Sequence, residues 1–307
     1  MKLLVPFELD EKFKRIGREI VGNDNIIWYP DDGAAEIILV RGNDFPRDRK
    51  FRLIQTVSAG TDHIDFSNIP KETMVASNAG AFSVSAAEHA FALILERTKR
   101  ISIFENETRG GVYKPHPTRL LYGKTMGIIG YGGIGSRSAL IAKSLGMRVI
   151  AIGRGHRDIN ADVFTDMDGL DNLLSSSDII LLSIPLTNST RGMIGEEQLK
   201  KVKRDCIIVN VARAEIVKKE ALLKFVDSNK DAAYLTDVWW GEPRLDDSNR
   251  DNVVITPHVA GGLSGEVMEF AYRQAFENIR QFMEGKTVSN VVKKEESLYL
   301  DRNKIGI

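Results

Sequence analysis

A guanidinium, a carboxylate and an imidazole each stand just past a short apolar run in the last third of this sequence. Arg213 closes Val209-Asn210-Val211-Ala212-Arg213. Glu242 lies in Asp237-Val238-Trp239-Trp240-Gly241-Glu242-Pro243, and His258 in Thr256-Pro257-His258-Val259-Ala260-Gly261-Gly262. Histidine exchanges a proton near neutral pH because its ordinary pKa lies there. A paired carboxylate orients the ring and favours its charged form. Arginine grips a carboxylate through its fork of donors. Taken singly, each has an ordinary reading: an ion-pair arginine, a loop carboxylate, a strand-end histidine. Ends of strands are where open α/β sheets place their chemistry, so the trio is a candidate catalytic set.

A second signal lies upstream, in Thr125-Met126-Gly127-Ile128-Ile129-Gly130-Tyr131-Gly132-Gly133-Ile134-Gly135. Gly130, Gly132 and Gly135 fit G-x-G-x-x-G, a weak pattern alone. Here an apolar strand precedes it, a helical pattern follows and a second apolar run, 148–152, closes the unit. Gly130 makes the tight turn, Gly132 admits a pyrophosphate to the backbone, and Gly135 lets helix and strand pack closely. The helix start at Gly133 and Ile134 turns its N–H groups toward the phosphates. An acid at the end of the second run would bind both ribose hydroxyls and signal NAD. That position is Gly153, and Arg154, His156 and Arg157 follow it. Room and positive charge suit a 2′-phosphate, so the expectation is NADP over NAD. A solvated basic loop, with Asp158 serving in a shifted register, is the competing reading.

The elements that must position these groups follow from periodicity. Apolar runs at 2–6, 25–29, 36–40, 51–57 and 74–77 read as strands, and 83–100 as a helix. A second series of strands runs at 125–129, 148–152, 178–183, 206–211, 232–236 and 252–255, with helices at 134–145, 196–202 and 218–228 between them. Nearly every strand position is apolar, as in parallel sheets covered on both faces. A last helix is expected over 264–284, burying Val267, Phe270, Ala271, Ala275, Ile279, Phe282 and Met283. The alternation predicts an α/β protein of doubly wound parallel-sheet domains.

Composition narrows the class. The 307 residues suggest two domains, and 42 basic residues balance 42 acidic ones. A neutral chain has no bulk field for nucleic acid or an anionic membrane. The lone Cys206 sits in an apolar run and reads as a core residue, which fits a cytoplasmic location. No apolar stretch reaches membrane-spanning length. No His, Cys or carboxylate grouping has metal-ligand spacing, so no metal is expected.

Read together, these motifs resemble the D-isomer-specific 2-hydroxyacid dehydrogenase family. The likeness runs through Ala59-Gly60-Thr61-Asp62-His63-Ile64-Asp65, Ser77-Asn78-Ala79-Gly80, Ala87-Glu88-His89, the glycine turn, Pro185-Leu186-Thr187-Asn188-Ser189-Thr190-Arg191-Gly192 and the Arg213, Glu242 and His258 segments. It implies a flavodoxin-like substrate domain (1–99 with 282–307) and a Rossmann dinucleotide-binding domain (100–281). In that scheme His258 exchanges a proton with the substrate oxygen, Glu242 pairs with His258, and Arg213 holds the substrate carboxylate. Asp237 accepts from the nicotinamide carboxamide, and Pro185, Thr190, Val211, Ala212 and Gly261 line the cofactor. Ser58, Ala59 and Gly60 meet the carboxylate through backbone N–H groups.

The resemblance leaves several residues with two readings. Arg41 either reaches the substrate or is a strand-end surface charge. Trp240, with Trp239, either limits the pocket or packs. His63 and His89 read as packing or hydrogen-bonding residues, and His116 as a loop residue. The implied activity is hydride transfer between NAD(P)H and a small 2-keto acid, with glyoxylate or hydroxypyruvate preferred. The alternatives are a 3-phosphoglycerate dehydrogenase using Arg41 for phosphate, or a dinucleotide-sensing corepressor. A homodimer through the dinucleotide-binding domain, involving residues 101–121, is also implied.

Overall fold

Short, mostly apolar runs of three to five residues build two parallel sheets, buried on both faces except toward the edges. The structure is a computed structural model and describes every residue except 44, 47, 156–158, 263 and 301–307. In chain order the first elements are β1 (Leu3–Val5), α1 (Glu11–Val21), β2 (Ile26–Trp28), β3 (Ile37–Val40), β4 (Leu53–Thr56) and β5 (Met74–Ala76). Next come α2 (Ser83–Lys99), α3 (Ile101–Arg109), β6 (Thr125–Ile129), α4 (Gly133–Ser144), β7 (Arg148–Ile152), β8 (Val163–Thr165) and α5 (Leu170–Ser176). The chain continues with β9 (Ile179–Leu182), α6 (Glu196–Leu199), β10 (Ile207–Asn210), α7 (Lys219–Ser228), β11 (Ala233–Thr236), β12 (Val253–Ile255) and α8 (Gly265–Met283).

Two compact units result among the described residues: Met1–Phe82 with those of 262–300, and Ser83–Gly261. In the first, five parallel strands run in the order β2-β1-β3-β4-β5, the flavodoxin-like arrangement. Helix α8 packs on α1 and β4 and supplies the core residues Tyr272, Ala275, Phe276 and Ile279. Buried Asn278 ties the following segment down. It donates to the Gln55 side chain (2.7 Å) and the Ser289 carbonyl (3.0 Å), and accepts from the Ser289 amide (2.7 Å). Val291 then bridges antiparallel to Ala76 at the sheet edge.

The second unit has seven parallel strands in the order β12-β11-β10-β9-β6-β7-β8. The order reverses at β6, which pairs with β7 on one side and β9 on the other. Open α/β sheets bind ligands at the carboxyl end of such a switch strand. Asp178 fixes this centre: it accepts from the Thr125 amide (2.8 Å) and from Lys203 (2.9 Å).

The units divide at 82/83 and 261/262, whereas the sequence reading placed boundaries at 99/100 and 281/282. The physical reason is side-chain burial. Helix α2 turns Ala86, Ala90, Phe91 and Ile94 into the core of the second unit, against α4 and β10, while α8 belongs wholly to the first. Within α8 the buried stripe is also rotated from the expected one. Phe270 is 73 % exposed, and Tyr272 and Phe276 fill the core instead. Elements α1, α3, β8 and α5 were not foreseen.

Candidate active site

The carboxyl ends of three neighbouring strands carry the trio. β10, β11 and β12 pair in register, Asn210 beside Thr236 and Thr236 beside Ile255. Arg213 follows the first strand, Asp237 and Glu242 the second, and His258 the third. The imidazole and the carboxylate meet: His258 Nδ1 lies 2.9 Å from Glu242 Oε2. Glu242 is mostly buried and its other oxygen accepts from the Trp239 amide, which sets its rotamer. The histidine side chain remains 41 % exposed. With Nδ1 committed to the carboxylate, Nε2 is the ring atom left for proton exchange.

His258 has φ 56°, left-handed backbone that side chains seldom adopt. Asp237 enforces it. This carboxylate is 2 % exposed and accepts from the amides of both residues after His258: Val259 on Oδ1 (2.9 Å) and Ala260 on Oδ2 (2.6 Å). The Thr256 hydroxyl donates to Oδ1 as well (2.5 Å). Helix α2 buttresses the same turn. His89 Nε2 lies 2.8 Å from the Thr256 hydroxyl and 3.6 Å from Asp237 Oδ1, and Ser85 donates to the Ala260 carbonyl (2.9 Å). Asp237 therefore has a backbone-holding role that sequence reasoning did not assign.

Arg213 sits on a turn organised by Asn210, a fully buried side chain. Asn210 accepts from the Ala212 amide (3.0 Å) and donates to the Arg213 carbonyl (3.0 Å) and the Tyr234 hydroxyl (3.0 Å). The Arg213 guanidinium donates to the Ala212 carbonyl (2.8 Å). Burial pushes the Tyr234 phenol up to about 12, so it stays protonated. Trp240 stacks on Tyr234 and donates its indole N–H to the Val217 carbonyl (3.2 Å). Trp239 is buried and donates to the Asp246 carbonyl (3.0 Å), so both indoles pack within the second unit. Asn210, Thr256 and Ser85 went unread, although a polar residue ending an apolar strand is itself a signal, because a buried amide needs partners.

The glycine turn fits a dinucleotide. Gly130 has φ 104°, and a Cβ there would meet the Ile184 amide nitrogen at 2.5 Å. A Cβ on Gly135 would lie 2.2 Å from the Gly130 carbonyl oxygen, so only glycine brings α4 this close. Above Gly132 nothing lies within 4 Å, and no side chain caps α4 at its start, Gly133-Ile134-Gly135. Open space over an uncapped helix N-terminus is what a pyrophosphate requires. Across the switch, Thr190 holds the loop from Pro185 by donating to the Pro185 carbonyl (2.7 Å) and accepting from the Thr187 amide (2.8 Å). Val211 is buried, Ala212 half-buried, and Gly261 closes the segment after Ala260. A Cβ on Gly153 would press on Tyr131 (2.7 Å) and Phe164 (3.1 Å), so a carboxylate side chain has no room there. Arg154 is exposed, while His156, Arg157 and Asp158 lie outside the described residues.

On the first unit, Ser58 donates to the Gly60 carbonyl (2.9 Å) and lies 3.5 Å from His63 Nε2. Ala59 is exposed at the tip of this loop. Arg41, one residue past β3, is exposed and donates twice to the Tyr272 hydroxyl. His116 stacks on Phe104. Cys206 is buried, and burial pushes its thiol far up. Among the described residues no group of three or more His, Cys, Asp or Glu is placed to hold a metal ion. No described helix is long and apolar enough to cross a membrane.

Comparison with known proteins agrees with this geometry. The NAD binding domain of D-isomer specific 2-hydroxyacid dehydrogenases matches residues 91–260. The chain is 34 % identical to a glyoxylate reductase of Korarchaeum cryptofilum over 257 residues, covering 80 % of this chain and 77 % of that one. It is 32 % identical to a glycerate dehydrogenase of Methylorubrum extorquens over 292 residues, covering 86 % and 89 %. Among solved structures, a glycerate dehydrogenase related protein from Thermoplasma acidophilum superposes with TM-score 0.71 at 42 % identity, covering 92 % of this chain and 100 % of that one. The chain belongs to the D-isomer-specific 2-hydroxyacid dehydrogenase family. It is an oxidoreductase that works on CH–OH groups with a nicotinamide dinucleotide.

Proposed function

We propose that the protein reduces glyoxylate or hydroxypyruvate with NADPH, and that His258 is its proton donor. The observation that carries this is the 2.9 Å contact of His258 with Glu242 at the carboxyl edge of a switched parallel sheet. When bound, the nicotinamide supplies a hydride to the carbonyl carbon. Arg213 holds the substrate carboxylate through its fork. By the family resemblance, Ser58, Ala59 and Gly60 bring backbone N–H groups to a substrate carboxylate. His258 gives a proton from Nε2 to the carbonyl oxygen, completing the hydroxyl. Glu242 holds the ring and offsets the charge it carries beforehand. Asp237 meets the carboxamide as well as fixing the turn.

The coenzyme choice rests on Gly153 and Arg154. An acid is sterically barred from the ribose position and a guanidinium follows it. The lone buried thiol suits a reducing cytoplasm. Exposed apolar side chains along residues 101–122, Ile101, Tyr113, Leu120 and Tyr122, support a homodimer through the second unit.

A steady-state screen of glyoxylate, hydroxypyruvate and phosphohydroxypyruvate with NADPH and NADH tests the reading. Turnover with a lower KM for NADPH is expected. His258→Gln is expected to lower kcat by about 10²–10⁴-fold without loss of thermal stability. A clear NADH preference refutes the coenzyme assignment. Tight dinucleotide binding with no turnover of any 2-keto acid replaces the enzyme with a sensor.

A further inference from the structure

His89 is a polar residue on a helix whose packing is done by others. The side chains that α2 gives to the core, Ala86, Ala90, Phe91 and Ile94, are all apolar. His89 and Ser85 stand one turn apart on the same side of that helix, and each reaches a different part of the segment 256–260. Ser85 donates to the Ala260 carbonyl (2.9 Å), two residues after His258. His89 Nε2 lies 2.8 Å from the Thr256 hydroxyl, two residues before it. Thr256 is held through its backbone as well: its amide donates to the Thr236 carbonyl (2.9 Å), and its carbonyl accepts from the His258 amide (2.9 Å). The backbone of His258 is therefore bracketed by two residues that α2 grips.

The hydrogen bonds at Thr256 have one consistent direction. Its hydroxyl has a single hydrogen and lies 2.5 Å from Asp237 Oδ1, and an ionised carboxylate only accepts. That hydrogen goes to the carboxylate; turned toward His89, it would leave two oxygen lone pairs facing each other at that distance. His89 therefore donates from Nε2, which fixes the tautomer of its neutral ring. Asp237 is 2 % exposed and receives the Val259 and Ala260 amides together with the Thr256 hydroxyl. A buried carboxylate depends on such donors to stay charged, and a hydroxyl that itself accepts from an imidazole donates more strongly. The Nε2–H group of His89 is thus the outer end of a chain that runs from imidazole to hydroxyl to carboxylate to the amides beyond His258.

We propose that His89 is a positioning residue for the reaction: by donating to Thr256 it keeps that hydroxyl on Asp237, and so holds the left-handed turn from which His258 presents its ring. This rests on the 2-keto acid reductase reading above and deepens it. His89 itself touches no reactant. A residue that merely packed here could be exchanged for any side chain of similar volume. A positioning residue can be exchanged only for one that brings an N–H group to the same place.

The test compares His89→Phe, which keeps a ring and deletes the N–H, with His89→Gln, whose amide nitrogen reaches about as far as Nε2. In glyoxylate reduction with NADPH, kcat is expected to fall about tenfold in His89→Phe and to stay within about threefold of wild type in His89→Gln, with KM for glyoxylate changed by a smaller factor than kcat. Thr256→Val should lower kcat as far as His89→Phe, and combining the two should lower it no further, because both break one chain. In the protein without coenzyme or substrate, hydrogen exchange at the Val259 and Ala260 amides should quicken in His89→Phe and not in His89→Gln. A wild-type kcat in His89→Phe, equal losses in the Phe and Gln variants, or losses that multiply in the double variant overturns the proposal. A melting temperature for each variant separates misfolding from a loosened turn, and should His89→Phe fail to fold, His89→Leu, equally without a donor, is read in its place. Any of these overturning results beside wild-type turnover of glyoxylate removes this inference alone. No turnover of any 2-keto acid by the wild type removes the reductase reading, and this one with it.

Discussion

His258 bears its proposed role on backbone that most side chains avoid, and the neighbours that hold it there are as specific as the ring. Left-handed backbone costs roughly 1–3 kcal/mol and persists only where the surroundings over-determine it. Here Asp237 does so with both oxygens, each taken by an amide just beyond His258. Asp237→Asn turns one acceptor into a donor that faces an amide N–H. Charged hydrogen bonds of this kind are worth about 1.5–3 kcal/mol, so kcat for reduction is expected to fall about ten- to a hundredfold. Quenching of protein fluorescence by NADPH should persist in that variant. A kcat equal to wild type would show that the turn keeps its shape without the carboxylate. The types and spacing of Arg213, Glu242 and His258 were readable because each ends an apolar run. Asn210, Thr256 and Tyr272 were not read, because their meaning lies in partners 19 to 231 positions away.

Strands were legible wherever they lie buried on both faces, since a fully apolar run has few alternatives. β6 and β7 match their expected limits, and the others differ by a residue or two. The elements that were missed lack that signal. α3 buries none of its residues, and β8 is a half-buried edge strand. α1 was there to be found: Asp10 caps it and Phe13, Ile16 and Val21 are buried along one stripe. At this scale Asp178 is the testable tie, joining the start of β6 to β9 and Lys203. Burial alone would raise its carboxyl, but the Thr125 amide and Lys203 outweigh it, and the group sits below its ordinary 3.8. A depressed carboxylate contributes stability that is present above its unfolded pKa and is lost as pH falls through the folded value. Acid titration of wild-type stability should therefore steepen below pH 3.8, the ordinary value for this group. Asp178→Asn should be less stable at pH 7 by about 1–3 kcal/mol and show a shallower acid limb in denaturant melts at several pH values. Equal acid limbs would relieve Asp178 of this role.

For the whole molecule, the apolar surface along residues 101–122 is the feature a lone chain does not explain. Tyr113 is 94 % exposed and Leu120 69 % exposed, in a segment without regular structure. Single exposed hydrophobics are ordinary, but a run of them marks an association surface. Sedimentation velocity is expected to give a dimer, and Leu120→Glu is expected to shift it toward monomer with the melting temperature lowered. A wild-type monomer at micromolar concentration would end the dimer proposal.

The path of the chain also orders events during its synthesis. Residues 1–82 leave the ribosome first, yet the helix that completes their core begins only at Gly265. The intervening Ser83–Gly261 is one uninterrupted stretch and has all its own strands. At about 5–20 residues per second, the leading segment waits roughly 10–40 s for its missing layer. During that interval the second unit is free to fold, while the faces that Tyr272, Phe276 and Ile279 will cover stay open to water. The part born first is thus finished last, and it is the part a nascent-chain chaperone would be expected to shelter.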